Sequence, residues 1–147
     1  MQIKEASFEH LDAWLRLRAE LWPGSSMEHH HRVELTQILT KENAIAFIAC
    51  DQAGQVVGFA EATLRRDYVN GCKTSPVLFL EGIYVRREHR RQGAAQLLCS
   101  AVADWGRAAG CREFASDALL DNVESHAFHH ALGFEETQRV VYFRKPL

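Results

Sequence analysis

The segment Glu81-Gly82-Ile83-Tyr84-Val85-Arg86-Arg87-Glu88-His89-Arg90-Arg91-Gln92-Gly93-Ala94-Ala95 decides the reading of the chain. It begins in an apolar, β-rich run, Val77 to Val85, which predicts a buried central strand. It crosses a short basic loop and enters a helix predicted over Ala94 to Ala109. Leu97, Leu98, Val102 and Trp105 fall on one face of that helix, and Gly110 stops it. Arg90-x-x-Gly93-x-Ala95 puts small residues at the helix start, where backbone N–H groups lack intrahelical partners and sit at the positive end of the dipole. Such a start can cradle a pyrophosphate, and Gly93 lets phosphates approach the backbone closely. Neither G-K-[ST] nor G-x-G-x-x-G occurs, which argues against a P-loop or a Rossmann dinucleotide site. An ordinary basic helix start is the alternative. Arg86, Arg87, Arg90 and Arg91 would also suit RNA, but no interleaved aromatics support that.

Upstream, Met1 to Lys4 predicts a short strand, and Ser7 can cap a helix carrying Phe8, Leu11, Trp14, Leu15 and Leu21. Trp22-Pro23-Gly24 ends that helix. Val33, Leu35, Ile38 and Leu39 suggest a second helix. Ala44 to Cys50 and Gln55 to Arg66 read as a hairpin about the turn Asp51 to Gly54, followed by a loop from Asp67 to Pro76. Downstream, Cys111 to Asp117 reads as a strand and Val123 to Leu132 as a helix ended by Gly133. Val140 to Arg144 reads as a strand that closes the sheet. Hairpins first, then alternation with helices, predict a mixed α/β (α+β) sandwich.

The 147 residues fit one domain, and 47% hydrophobic content supports a core without disulfides. Cys50, Cys72, Cys99 and Cys111 form no C-x-x-C pair and read as isolated thiols of a reducing compartment. No signal peptide and no apolar run near the roughly 18–20 residues of a membrane span is evident. The expectation is a cytoplasmic protein without membrane contact. A net charge of -2 leaves no nucleic-acid footprint.

The strand, Arg90-Arg91-Gln92-Gly93-Ala94-Ala95 and the helix resemble the acetyl-CoA signature of the GNAT superfamily. Asn122, Phe128 and Leu132-Gly133-Phe134 resemble that family's later helix, which flanks the CoA arm. The resemblance implies one N-acetyltransferase domain over residues 1–147, with a mixed central sheet splayed at the cofactor site and flanked by helices. It also implies direct acetyl transfer, with pantetheine pairing to the backbone at Ile83, Tyr84 and Val85.

A narrower resemblance is to the aminoglycoside 6'-N-acetyltransferases. It rests on Leu21-Trp22-Pro23-Gly24, Asp67-Tyr68-Val69-Asn70-Gly71-Cys72, Phe79-Leu80-Glu81-Gly82-Ile83, Ala115-Ser116-Asp117 and the run from Ala131 to Thr137. It implies an aminoglycoside amine as acceptor, most readily the 6'-amino group, with resistance as the consequence, and a homodimer. Substrate-facing residues fall on Trp22, Tyr68, Glu81 and Asp117, and Asn122 falls near CoA. At Gln138 the chain departs from the glutamate of that subgroup, and a neutral amide there weakens attraction for one cationic group.

The residues support this independently. Glu81 is a carboxylate within an apolar strand, costly to bury unless it meets a cation or hydrogen bonds. Asp117 ends the next strand, and two carboxylates would attract an ammonium-rich sugar that Trp22 and Tyr68 flank. The alternatives are an internal salt bridge of Glu81 with Arg65 or Arg66, a packing role for Trp22 and a loop cap for Asp117.

Glu81, through a water, is the candidate to take the amine's proton. His129 lies four residues before Gly133, where many GNAT enzymes carry a tyrosine that protonates the CoA thiolate, and an imidazole can do that work. A surface or core histidine is its alternative. His126 and His130 have metal-like i, i+4 spacing, but no H-E-x-x-H carboxylate accompanies them, so no metal is expected. A covalent route through cysteine would need an activated thiolate beside a base. Rival functions are acetylation of a polyamine or a protein N-terminus, and acyl-CoA binding by a non-catalytic regulator.

Overall fold

The computed structural model describes residues 1–24 and 28–147. Strands β1 (Gln2–Glu5), β2 (Ala44–Cys50), β3 (Val56–Arg65), β4 (Val77–Val85) and β5 (Phe114–Ser116) form one sheet in that order. The first four pair antiparallel, while β5 runs parallel to β4, so the sheet is mixed. Helices α1 (Leu11–Leu21) and α2 (Glu28–Thr40) follow β1, α3 (Ala94–Ala108) follows β4, and α4 (Val123–Ala131) follows β5.

Strand alternation gives the sheet two apolar faces. Ala60, Ala62, Leu78 and Leu80 pack with Leu98 and Val102 of α3, while Ile48 and Phe59 pack with Trp14, Leu17 and Leu35 of α1 and α2. The buried stripe of α3 is Ala94, Leu98, Cys99, Val102 and Gly106, whereas Leu97 is exposed. Leu97, expected on that face, precedes Leu98 by one residue, about 100° round the helix, and so points away from this stripe.

Two further expectations need correction. The strand expected over Cys111 to Asp117 shrinks to Phe114–Ser116. The strand expected over Val140 to Arg144 does not form: residues 135–147 have no regular structure, and Val141, Tyr142 and Phe143 are 77%, 84% and 92% exposed. Among the described residues they pair with no strand, and strands depend on such neighbours.

A buried carboxylate, Glu61, lies between α1 and β3. Glu61 accepts from Trp14 Nε1 at 2.9 Å and from Arg18 at 3.0 Å. Burial pushes its carboxyl up from 4.5 to about 7, against the opposing pull of Arg18. Because the folded value exceeds the unfolded one, the associated stability is fully present below about 4.5 and is lost as pH rises through about 7. Urea denaturation between pH 5 and 8 should therefore show the wild type losing about 2 kcal/mol more than Glu61→Gln. Parallel losses would mean that Glu61 does not titrate in this range.

Candidate active site

Strand β5 pairs with β4 only from Leu78 to Leu80. From Glu81 to Val85, β4 keeps β3 on one edge and has no strand on the other among the described residues, so the sheet parts there. Ile83, Tyr84 and Val85 therefore border the opening. Beyond it the chain is tightly fixed. Arg86 N–H donates to Val57 O at 2.9 Å, and Arg90 Nε donates to Val85 O at 2.8 Å. Arg91 has φ 62° and Gly93 φ 81°, left-handed conformations that turn the backbone into α3. Arg90, Arg91, Gln92 and Gly93 are exposed, Ala94 is buried and Ala95 packs on the core. A Cβ built on Gly93 would meet no atom within 4 Å, so the helix start is open above its backbone. That space, the free first-turn N–H groups and two exposed arginines fit a pyrophosphate.

The other side of the opening is acidic and aromatic. Glu61 pairs with Gly82 and Ala62 with Leu80, so Glu81 is the extra residue of a β-bulge. A bulge re-aims a side chain and bends its strand. Glu81 accepts from Thr63 Oγ1 at 2.6 Å and from Arg65 NH2 at 2.8 and 3.0 Å, and the Arg65 guanidinium lies 3.4 Å from the Phe79 ring centroid. The internal salt bridge left open from the sequence is thus present for Arg65, on a carboxylate that stays solvent-accessible at the mouth. The Trp22 ring lies against Gly82, where a Cβ would come 2.6 Å from the indole. Trp22 therefore packs, as its alternative reading held, and it does so beside Glu81.

Tyr68 is 76% exposed in the loop between β3 and β4. Glu113 staples that loop by accepting from the backbone N–H groups of Lys73 and Thr74, each at 2.8 Å. Gly71 faces Thr137 so closely that a Cβ would overlap Thr137 Oγ1, which sets the chain at Gln138 beside the same loop. Asp117 is exposed just past β5. Its neighbour Ser116 lies where β4 and β5 separate, with Oγ 3.3 Å from Leu80 O and 2.8 Å from His129 Nε2. His129 Nδ1 lies 2.7 Å from Ser125 O, so that nitrogen carries the proton and Nε2 faces the serine. Ser116 is a candidate that sequence spacing does not reveal, because its partner is 13 residues away on another element.

Asn122 caps α4, accepting from Ser125 N–H at 3.2 Å, which leaves its amide NH2 free. Three of the thiols show no activation: burial pushes Cys99 up to about 11 and raises Cys72 and Cys111. Among the described residues no three His, Cys, Asp or Glu side chains converge as a metal site, and no helix is long and apolar enough to cross a membrane.

A sheet parted beside a phosphate-cradling helix start is the architecture of acyl-CoA transferases, and the comparisons agree. The acetyltransferase (GNAT) family matches residues 11–134, and the chain belongs to that family. Within it, near-full-length similarity is to aminoglycoside N(6')-acetyltransferases. A relative so named from Serratia marcescens is 51% identical over 139 residues, covering 95% of this chain and 94% of its own length. One from Acinetobacter haemolyticus is 48% identical, covering 100% and 99%. A solved structure of AAC(6')-Iy with the bisubstrate analog CoA-S-monomethyl-acetylneamine superposes with a TM-score of 0.93 at 45% identity, covering 99% of this chain and 98% of that one. The apo aminoglycoside 6'-N-acetyltransferase AAC(6')-IG from Acinetobacter haemolyticus gives 0.94 at 48% identity, covering 100% and 99%.

Proposed function

We propose that this chain transfers the acetyl group of acetyl-CoA to a primary amine of an aminoglycoside, at the 6' position, directly within a ternary complex. The observation that carries this reading is the parting of β4 and β5 at Glu81: it joins a phosphate-accepting turn on one side to an acidic, aromatic-walled mouth on the other. The near-full-length relatives support the acceptor class.

The activated acetyl group comes from acetyl-CoA, and the chain supplies positioning and proton handling. Arg90, Arg91, Gln92, Gly93, Ala94 and Ala95 hold the pyrophosphate, with Asn122 nearby. Backbone N–H groups along Ile83, Tyr84 and Val85 polarise the thioester carbonyl. Tyr68, Trp22, Asp117 and Gln138 frame the sugar, and Glu81 takes the amine's proton through a water. The Ser116 hydroxyl gives its proton to the departing thiolate and is reprotonated by His129 Nε2 when the imidazole carries a second proton there. A free thiol has a pKa near 8.5, so this help is modest. His129→Phe should lower kcat about tenfold, at or below the low end of general-acid contributions, and flatten the kcat–pH profile. Superimposable profiles would reduce His129 to a packing role against Phe134.

The deciding experiment is thiol release across aminoglycosides with and without a 6'-amino group, followed by NMR of the product. Acetylation confined to the 6' amine supports the reading. Preferential turnover of polyamines or peptide N-termini would overturn the acceptor, and binding without turnover would overturn the enzyme. We further propose a single domain over residues 1–147, a cytoplasmic location, where acetyl-CoA is available, and a homodimer. The exposed run Val140 to Phe143 supports the dimer, since a second copy would cover it. Light scattering tests that.

A further inference from the structure

Trp22 stands at the end of α1, immediately before Pro23-Gly24, where its backbone N–H donates to Arg18 O at 2.8 Å and the helix ends. Its indole is fixed on several sides. One edge lies against Gly82, and Phe59 is tilted against the ring at 6.5 Å. The His31 ring stacks on it at 6.1 Å with 19° between planes, and the Arg18 guanidinium lies 4.9 Å from its centroid.

Arg18, His31 and Glu61 are 4%, 2% and 2% exposed, and none of them touches the mouth directly. They form one chain of hydrogen bonds. Glu61 holds Arg18, whose NH1 lies 3.2 Å from His31 Nδ1. Arginine can only donate, so Nδ1 accepts and the His31 proton sits on Nε2, which faces the Trp22 carbonyl at 3.4 Å. Glu34 closes on Arg18 NH2 at 2.7 Å from the solvent side.

Buried ion pairs contribute little net stability compared with apolar side chains of similar volume. This cluster does something an apolar core would not: it pins both the ring and the carbonyl of one residue. Glu34, and Glu61 when ionised, also offset the guanidinium, which would otherwise repel a cationic acceptor.

We propose that Arg18, His31 and Glu61 are positioning residues that hold the Trp22 indole over Gly82 and thereby set the acceptor-side wall next to Glu81. The proposal rests on reading Trp22 as part of the aminoglycoside wall. Sequence alone hides the cluster, since Arg18 and Glu61 are 43 positions apart.

A double-mutant cycle on the full chain tests it, with circular dichroism as fold check. His31→Leu should raise the aminoglycoside KM about tenfold, with kcat and the acetyl-CoA KM changed less than about threefold. His31→Gln, whose amide can both accept from Arg18 and donate to the Trp22 carbonyl, should recover most of that loss. In a Trp22→Ala background, His31→Leu should add less than about twofold, because its effect passes through the missing indole. If His31→Leu does not fold, Arg18→Lys carries the same cycle, keeping the charge but losing the planar fork. Independent, multiplicative losses in the two backgrounds would overturn the positioning role. Trp22→Ala with an unchanged aminoglycoside KM would instead overturn the wall itself, and the proposal with it.

Discussion

Glu81→Gln is expected to lower aminoglycoside kcat/KM by at least about a hundredfold, while acetyl-CoA affinity stays within about twofold. The amide keeps the size of the carboxylate and its oxygen can still accept from Thr63 and Arg65, so the bulge and the contacts at Oε1 survive. It loses two things. It can no longer take the proton of an incoming ammonium group, directly or through water. It also leaves Arg65 as an uncompensated cation at the mouth that a cationic acceptor must enter. Both losses act in the same direction. The deficit should shrink as assay pH rises, because more of the amine then arrives already deprotonated. Wild-type kcat/KM in the variant would leave Glu81 as no more than the structural partner of Arg65. A deficit of that size independent of pH would remove the proton role while keeping the charge role.

The legible part of the fold is the part written in local signals. The limits of β2 and β4 match apolar runs bounded by turn residues, and α3 lies between Gly93 and Gly110, both at positive φ. The misread parts depend on partners that sequence does not name. Val140 to Phe143 has strand chemistry, yet a strand exists only where an edge receives it, and among the described residues none does. At the far end of β5 the parting of β4 from its neighbour ends the ladder after Ser116, so Asp117 lies outside the strand.

The candidate site divides in the same way. The Gly93 turn is legible because glycine, arginine and a helix start are adjacent along the chain. Glu81 stands out as a charge in an apolar strand, but its special placement comes from the pairing register, in which Gly82 and Leu80 take consecutive partners and Glu81 takes none. Whether Arg65 or Arg66 would meet it was likewise undecidable from spacing, since adjacent strand residues point to opposite faces. Arg65 follows Thr63 on one face and reaches the carboxylate. Ser116, Glu113 and the buried Arg18–His31–Glu61 cluster all act across elements, so no motif announces them.

Gly93→Val should raise the acetyl-CoA Kd about a hundredfold in calorimetry, the scale of losing charge-assisted phosphate contacts. Two effects need separating. A β-branched residue at φ 81° is strained, at roughly 1–3 kcal/mol, so the variant should melt at a lower temperature. Its side chain would meet no atom of the protein within 4 Å of the Cβ, so nothing in the core is displaced and the fold should persist. The branched methyl groups would instead enter the space over the first turn of α3, where N–H groups would face the phosphates. Gly110→Val separates strain from obstruction: Gly110 has φ 89°, is equally unencumbered, and follows the other end of the same helix. It should show a similar loss of stability with acetyl-CoA affinity unchanged. Equal losses of affinity in both variants would assign the effect to strain. Wild-type affinity in Gly93→Val would move the pyrophosphate away from this turn, and with it the main support for the cofactor site.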